Sequence, residues 1–235
     1  MSFILNIETS TDVCSIALSR NGRLIDIFED TEGMNHARLT AYYIQEILKC
    51  NNLKVGELAA IAVSQGPGSY TGLRIGVSLA KGLCYAHHLP LIAVSPLMAM
   101  SSWVAGNLDK ADICTPMNVV LCPMIDARRM EVYMALYDTD LAVIEDVSAK
   151  VIDKDTFCEI TGKQLVLFGN GAEKVKSMLN QSNIHFIADV KTSADHMCVL
   201  SYKMFENKNF EDVAYFEPYY LKDFIAGKPK RILKD

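Results

Sequence analysis

Short apolar runs separated by turn residues open the chain. Phe3 to Glu8, Val13 to Arg20 and Leu24 to Glu29 each predict a strand, and Arg20-Asn21-Gly22-Arg23 supplies a hairpin turn between the second and third. Asn35 to Cys50 then carries two apolar stripes at helical spacing. Ala37, Ala41, Ile44 and Leu48 form one; Leu39, Tyr43 and Ile47 form the other, turned from it by about 130° at ~100° per residue. One stripe can face the domain's own sheet. The other needs a second surface, either a neighbouring helix or another subunit.

Leu58 to Ser64 predicts a fourth strand and Leu73 to His87 a helix, joined by Gln65-Gly66-Pro67-Gly68-Ser69-Tyr70-Thr71-Gly72. Ser69 or Thr71 can cap that helix, and Gly66 and Gly68 free the backbone for a tight turn. Only Arg74, Ser78, Lys81 and Tyr85 make a polar stripe on it, while Leu73, Ile75, Val77, Leu79, Leu83 and Cys84 cover most of the rest. Gly72, Gly76 and Ala80 recur every fourth residue, so another backbone can approach one side closely. The glycine run can therefore serve an anion at the helix N-terminus or simply a tight turn and close helix packing. It is no P-loop, because the Gly-Lys-Ser/Thr ending is missing. Pro90 to Val94 and Pro96 to Val104 predict a further strand and helix, and 106–116 a connecting stretch.

The pattern then restarts. Val119 to Asp126 is strand-like and ends in a carboxylate, as Phe3 to Glu8 does; the same shift sets Ala17-Leu18 on Ala135-Leu136. Glu131 to Tyr137 and Ala142 to Val147 follow as strands. Leu165 to Phe168, Gly169-Asn170-Gly171 and a helix echo the strand, glycine turn and helix at residue 66. Two α/β halves, each opening with a three-strand meander and built on a mixed sheet with flanking helices, predict the duplicated actin-like (ribonuclease H-like) fold of actin, heat-shock ATPases and sugar kinases. The halves are expected over 1–105, to which 213–235 returns, and 106–212. A nucleotide normally lies between such halves.

The chain has 235 residues, half of them hydrophobic, and a net charge of −5, unlike a typical stand-alone nucleic-acid binder. Its start lacks the basic region of a signal peptide, and no apolar run reaches membrane-spanning length. Seven scattered cysteines with no Cys-x-x-Cys pair suggest reduced thiols in a cytoplasmic core.

Candidate chemistry is sparse. Glu8 and Asp126 at matching strand ends can hold a phosphate-bound magnesium ion, or be exposed acids with Asp126 paired to an arginine. No histidine pair shares a helical face and no His-Glu-x-x-His occurs, so no histidine metal site is expected; His87-His88 suits the end of a helix dipole. Gly66-Pro67-Gly68-Ser69-Tyr70 is not a Gly-x-Ser-x-Gly elbow, which leaves a serine hydrolase without a nucleophile. The basic residues Lys222, Lys228, Lys230, Arg231 and Lys234 can touch RNA phosphates or belong to a solvated terminus.

Ile7-Glu8-Thr9-Ser10-Thr11, the block Gly66 to Arg74 with Ala80-Lys81-Gly82-Leu83, Ile92-Ala93-Val94-Ser95, Asp126-Ala127-Arg128 and Pro218-Tyr219-Tyr220-Leu221 together resemble the bacterial TsaB (YeaZ) family. The marks span nearly the whole chain, and the glycine block is the specific one. The resemblance implies a non-catalytic subunit that works with its larger paralogue TsaD and the ATPase TsaE in transferring a threonylcarbamoyl group to the adenosine next to the anticodon of tRNA. ATP is used by the assembled system, and no cofactor is expected on this chain alone. TsaD holds a metal partly through a His-x-x-x-His pair; here His36 is followed by Thr40 in the second place. Family members associate through the two helices of the first half, which implies a heterodimer with TsaD and leaves a homodimer of the isolated chain open. That implies contacts from His36, Leu39, Tyr43 and Ile47 on the first helix and Gly72, Ile75, Gly76, Leu79, Ala80 and Leu83 on the second. A nucleotide or anion contact would fall on Glu8, Gly66, Gly68, Ser69, Thr71 and Asp126. Glu8 departs from the aspartate more usual in the family. The alternative function is an ATP-dependent small-molecule transferase or kinase.

Overall fold

Residues 2–33, 35–108 and 118–222 are described by the structure, a computed structural model. The expected connecting stretch beyond residue 108, Cys114 and the basic residues after Lys222 lie outside them.

The apolar run Phe3–Glu8 forms β1, followed in a meander by β2 (Cys14–Arg20) and β3 (Arg23–Asp30). Helix α1 (His36–Cys50) leads to β4 (Ala60–Ser64), α2 (Tyr70–His87), β5 (Leu91–Val94) and α3 (Pro96–Ala105). The second half has β6 (Val119–Asp126), β7 (Glu131–Tyr137), β8 (Val143–Val151), β9 (Gln164–Phe168), the single turn α4 (Ala172–Val175), β10 (Ile184–Phe186) and α5 (Ala194–Glu206).

The sheets run β3-β2-β1-β4-β5 and β8-β7-β6-β9-β10, so each strand of one has its counterpart in the other. In both, the first strand pairs antiparallel with the second and parallel with the fourth. The repeat read from the sequence is therefore a repeat of topology.

Sequence halves and packing halves differ, however. Leu97, Met100 and Val104 of α3 are buried with Val119, Leu121 and Phe168 of the second sheet, although α3 lies within 1–105. Met197 and Leu200 of α5 are buried with Ile4, Ala60 and Ile92 of the first sheet, although α5 lies within 106–212. Ala99 of α3 is buried with α5 on the first sheet, so α3 packs between the two sheets rather than on one alone. The crossing explains why β1 is buried on both faces: Leu5 and Ile7 join Ile44, Ile47 and Val77, while Ile4 faces α5. On that second face Asn6 is buried, with Nδ2 donating to Ser19 Oγ at 3.2 Å.

After α5, residues 211–222 form a strap along α2. Glu211 N donates to Leu91 O, Tyr219 N donates to Gln65 O, and Lys81 Nζ donates to Ala214 O (3.2 Å) and Phe216 O (2.8 Å). Lys222 then pairs with Glu131 in the second half. Lys81→Met keeps the stem but removes both hydrogen bonds. It should cost about 1 kcal/mol and be seen as faster amide exchange confined to residues 211–222.

Candidate functional site

The glycine block sits on the end of β1. Helix α2 starts at Tyr70, three residues earlier than expected, with Ser69 as its cap: Ser69 Oγ accepts from Gly72 N at 3.4 Å. Ser69 N donates to Ser10 O at 2.6 Å. A Cβ on Gly68 would lie 2.1 Å from Ser10 O, one on Gly72 2.1 Å from Thr9 O, and one on Gly76 2.3 Å from Thr9 Oγ1. Backbone thus fills the space that a phosphate would need, and two amides at the helix start are already spent. Of the two readings of the block, close packing prevails. The small-residue side formed by Gly72, Gly76 and Ala80 meets this chain's own β1, so it is not a surface for another subunit. Gly66 is buried under the strap at φ +99°, where a Cβ would lie 2.9 Å from Tyr219 O; Thr71 is exposed.

The second half repeats this device. Gly169, at φ +97°, would place a Cβ 2.2 Å from Met124 O, and one on Gly171 would lie 3.0 Å from Ile125 C.

The two strand-end acids have separate fates. Glu8 is fully buried, with its carboxylate accepting from Ser10 N at 2.6 Å. Burial pushes it above the usual carboxylate range, against the opposing effect of the bond from Ser10 N. Asp126 is exposed, and its Oδ1 takes Lys174 Nζ at 2.7 Å and the Arg128 backbone N–H at 2.8 Å. The expected arginine partner is replaced by a lysine from α4. A nucleotide with magnesium, the usual occupant of this fold, does not fit here. The glycine turn is packed with backbone, burial disfavours charge on Glu8, Asp126 is paired with Lys174, and no group of three metal-ligating side chains converges among the described residues.

Because burial raises the Glu8 carboxyl in the folded state, its contribution to stability is complete below the ordinary glutamate value of about 4.3. It is lost as pH rises toward the folded value. Glu8→Gln keeps the Ser10 bond and has no charge. In urea titrations it should match the parent near pH 4 and be equal or more stable at pH 7.

His36 is held within its own fold, with Nε2 3.2 Å from Val13 O. Thr40 Oγ1 donates to His36 O at 2.6 Å. Burial raises the Cys84 and Cys198 thiols to about 12, and Cys122 is shifted the same way, so none is a ready nucleophile.

The apolar surplus lies between α1 and α2, in a groove of about 440 Å³ lined by Ala41, Ile44, Gln45, Leu48, Leu79 and Leu83, with Leu53 and Val55 beyond α1. Its position corrects the choice of stripe. Ile47 is fully buried and Tyr43 packs on Phe28 at 5.7 Å, so the Leu39–Tyr43–Ile47 stripe turns toward the sheet; Leu39 is half-buried. Ala37 and Ala41 of the other stripe are exposed. The centre of the buried arc is Thr40, a polar residue satisfied by its own helix, which hid that centre in the sequence pattern. On α2, Leu79 and Leu83 line the groove and Ile75 is half-exposed further along. Tyr42 and Tyr85 are also exposed, at 53% and 81%.

Two topologically matched mixed sheets, with helices crossing between them, define a duplicated actin-like protein. The family model described as TsaD, tRNA N6-adenosine threonylcarbamoyltransferase, matches residues 31–231. The tRNA threonylcarbamoyladenosine biosynthesis protein TsaB of Escherichia coli strain K12 is 30% identical over 236 residues, covering 96% of each chain. The structure of YeaZ from Pseudomonas aeruginosa superposes with a TM-score of 0.76 at 23% identity, over 94% of this chain and 100% of that one. A dehydratase activator from Clostridium difficile with bound ADPNP shares the fold alone, at a TM-score of 0.51 and 8% identity over 89% and 98% of the two chains. This chain belongs to the TsaB (YeaZ) family.

Proposed function

We propose that this chain is an accessory, non-catalytic subunit in tRNA threonylcarbamoylation. It binds a TsaD-type paralogue through the α1–α2 groove and acts with the TsaE ATPase. The observation that carries the reading is the groove itself: Leu79 and Leu83 of α2 are only partly buried beside the exposed Ala41 of α1. A contiguous apolar patch on a soluble domain marks an interaction site. An interface of ordinary size, about 800 Å² per partner, needs more than the groove. In isolation the same surface can join two copies of this chain. The membership of a family named for threonylcarbamoyladenosine biosynthesis supplies the pathway.

The test is threonylcarbamoylation of tRNA by TsaD and TsaE from the same organism, with and without this chain, beside this chain alone. Activity only on its addition, and none from it alone, is the expected result. Unchanged activity in its absence would remove the proposal. A transferase or kinase would instead require magnesium–ATP binding lost on Asp126→Ala, measurable by calorimetry.

A further inference from the structure

The strap presents aromatic rings that neither the core nor the groove uses, among the exposed acids Glu211, Asp212 and Glu217. Tyr215 is 84% exposed and Tyr219 46%. Between strap and α2, the Arg74 guanidinium lies 4.1 Å over the Tyr70 ring, and its Nε donates to Tyr220 Oη at 3.1 Å. The Tyr70 and Tyr220 rings are 5.0 Å apart. Two residues on, Lys222 reaches the second half, pairing with Glu131 and lying 5.5 Å over the Tyr133 ring. Glu131 N donates to Arg128 O, which closes the turn that exposes Arg128 and Arg129. Both arginines have left-handed backbone, φ 67° and 52°.

Charge along this line is uneven. Asp126 and Glu131 are neutralised by Lys174 and Lys222, and Glu217 adds a negative charge beside Arg74. Among the described residues no acid forms an ion pair with Arg128 or Arg129. Stacking rings interleaved with cations, on a protein that is acidic overall, match the chemistry of unpaired nucleotides: each ring accepts a base face and each guanidinium a phosphate.

We propose that this face, from Tyr215 and Tyr219 across Arg74 to Arg128 and Arg129, binds RNA through unpaired nucleotides. Resting on the function proposed above, that RNA is the substrate tRNA, which this subunit helps to hold while its groove engages the paralogue.

The test uses the full chain, with an unmodified tRNA transcript, a single-stranded oligouridine and a duplex DNA of similar length. Both RNAs should bind, more tightly than the duplex. With about three phosphate contacts, affinity should fall on the order of twentyfold between 50 and 200 mM salt. Arg128→Glu with Arg129→Glu should flatten that salt dependence and weaken binding about tenfold or more. Tyr215→Ala with Tyr219→Ala should weaken binding about fivefold or more at every salt concentration. All four side chains are exposed, so the thermal midpoint should not move. No binding at low salt, equal binding of duplex DNA, or full binding by both double variants would overturn the inference. In the reconstituted reaction, each double variant should raise the KM for tRNA with kcat unchanged. Normal stimulation with an unchanged KM would overturn this inference and leave the accessory role standing. RNA binding without any stimulation would do the reverse.

Discussion

Gly72→Ala should lower the thermal midpoint by about 6–12 °C, the shift expected for ~3 kcal/mol in a chain of this size. The new methyl group would start 2.1 Å from Thr9 O, where van der Waals contact needs well over 3 Å. The neighbour is backbone at the end of a strand buried on both faces, so it cannot swing aside; α2 must move instead. That movement stretches the 2.9 Å bond from Thr9 Oγ1 to Gly72 O. Thr9 is fully buried, so a broken bond leaves polar atoms with no water to replace it. Overpacking costs about 1–3 kcal/mol, and a buried unsatisfied group a similar amount. The gain in helix propensity, about 1 kcal/mol, offsets only part of the sum. Gly82→Ala on the same helix is the control. Nothing lies within 4 Å of its would-be Cβ, so it should stabilise by about 0.5–1 kcal/mol. Differential scanning calorimetry of the pair checks both signs. Equal midpoints would mean that α2 does not rest on β1 as described.

Ala41→Glu, alone and with Leu83→Glu, should weaken association with the TsaD-type paralogue by about thirtyfold or more. Desolvating one unpaired carboxylate in an apolar interface costs about 2–5 kcal/mol, which is a factor of roughly 30 to several thousand. Ala41 is exposed on α1, so its single substitution should change the free chain's stability by no more than about 0.5 kcal/mol. Leu83 is half-buried and will cost more, which makes Ala41→Glu the cleaner measurement. Size-exclusion chromatography with light scattering, followed by calorimetric titration, separates lost association from lost folding. The substitutions should also abolish any self-association of the free chain through this groove. Tyr43→Ala should act differently. Tyr43 packs on Phe28 against the sheet, so its loss should appear as reduced stability before it appears as reduced binding. Complex formation undiminished by Ala41→Glu would place the interface elsewhere.

How far the sequence reveals the site depends on whether the relevant contact is local. Ser69 as a cap, the strands of both meanders and the matching of Glu8 with Asp126 follow from spacing within a few residues or from one repeat. The stripes of α1 were legible as apolar, but their direction was not. Helical periodicity gives angles around an axis and cannot say which angle meets the sheet. Thr40, polar yet fully buried, shifts the centre of the core face away from both stripes. Lys174 carries no pattern in the sequence, and Lys222 reads there only as part of a basic run; their partners, Asp126 and Glu131, lie in distant segments. Tyr70, Tyr215 and Tyr219 likewise look ordinary in the sequence until their exposure and neighbours are known.

The glycine block shows the division most clearly. By itself the sequence determined the two-fold repeat of α/β halves, the fold class and the presence of a strand, tight turn and helix at Gln65 to His87. These depend on periodicity, turn chemistry and capping, which act over a few residues. It left the purpose of Gly68, Gly72 and Gly76 open, since a glycine admits either a ligand or another backbone. Tertiary structure decided for backbone by laying Thr9 and Ser10 against all three. It also sent α3 and α5 across to the opposite sheets and turned Ala41, Leu79 and Leu83 outward together. Those outcomes depend on which apolar faces find cover first among segments far apart in the chain, and no local spacing records that competition.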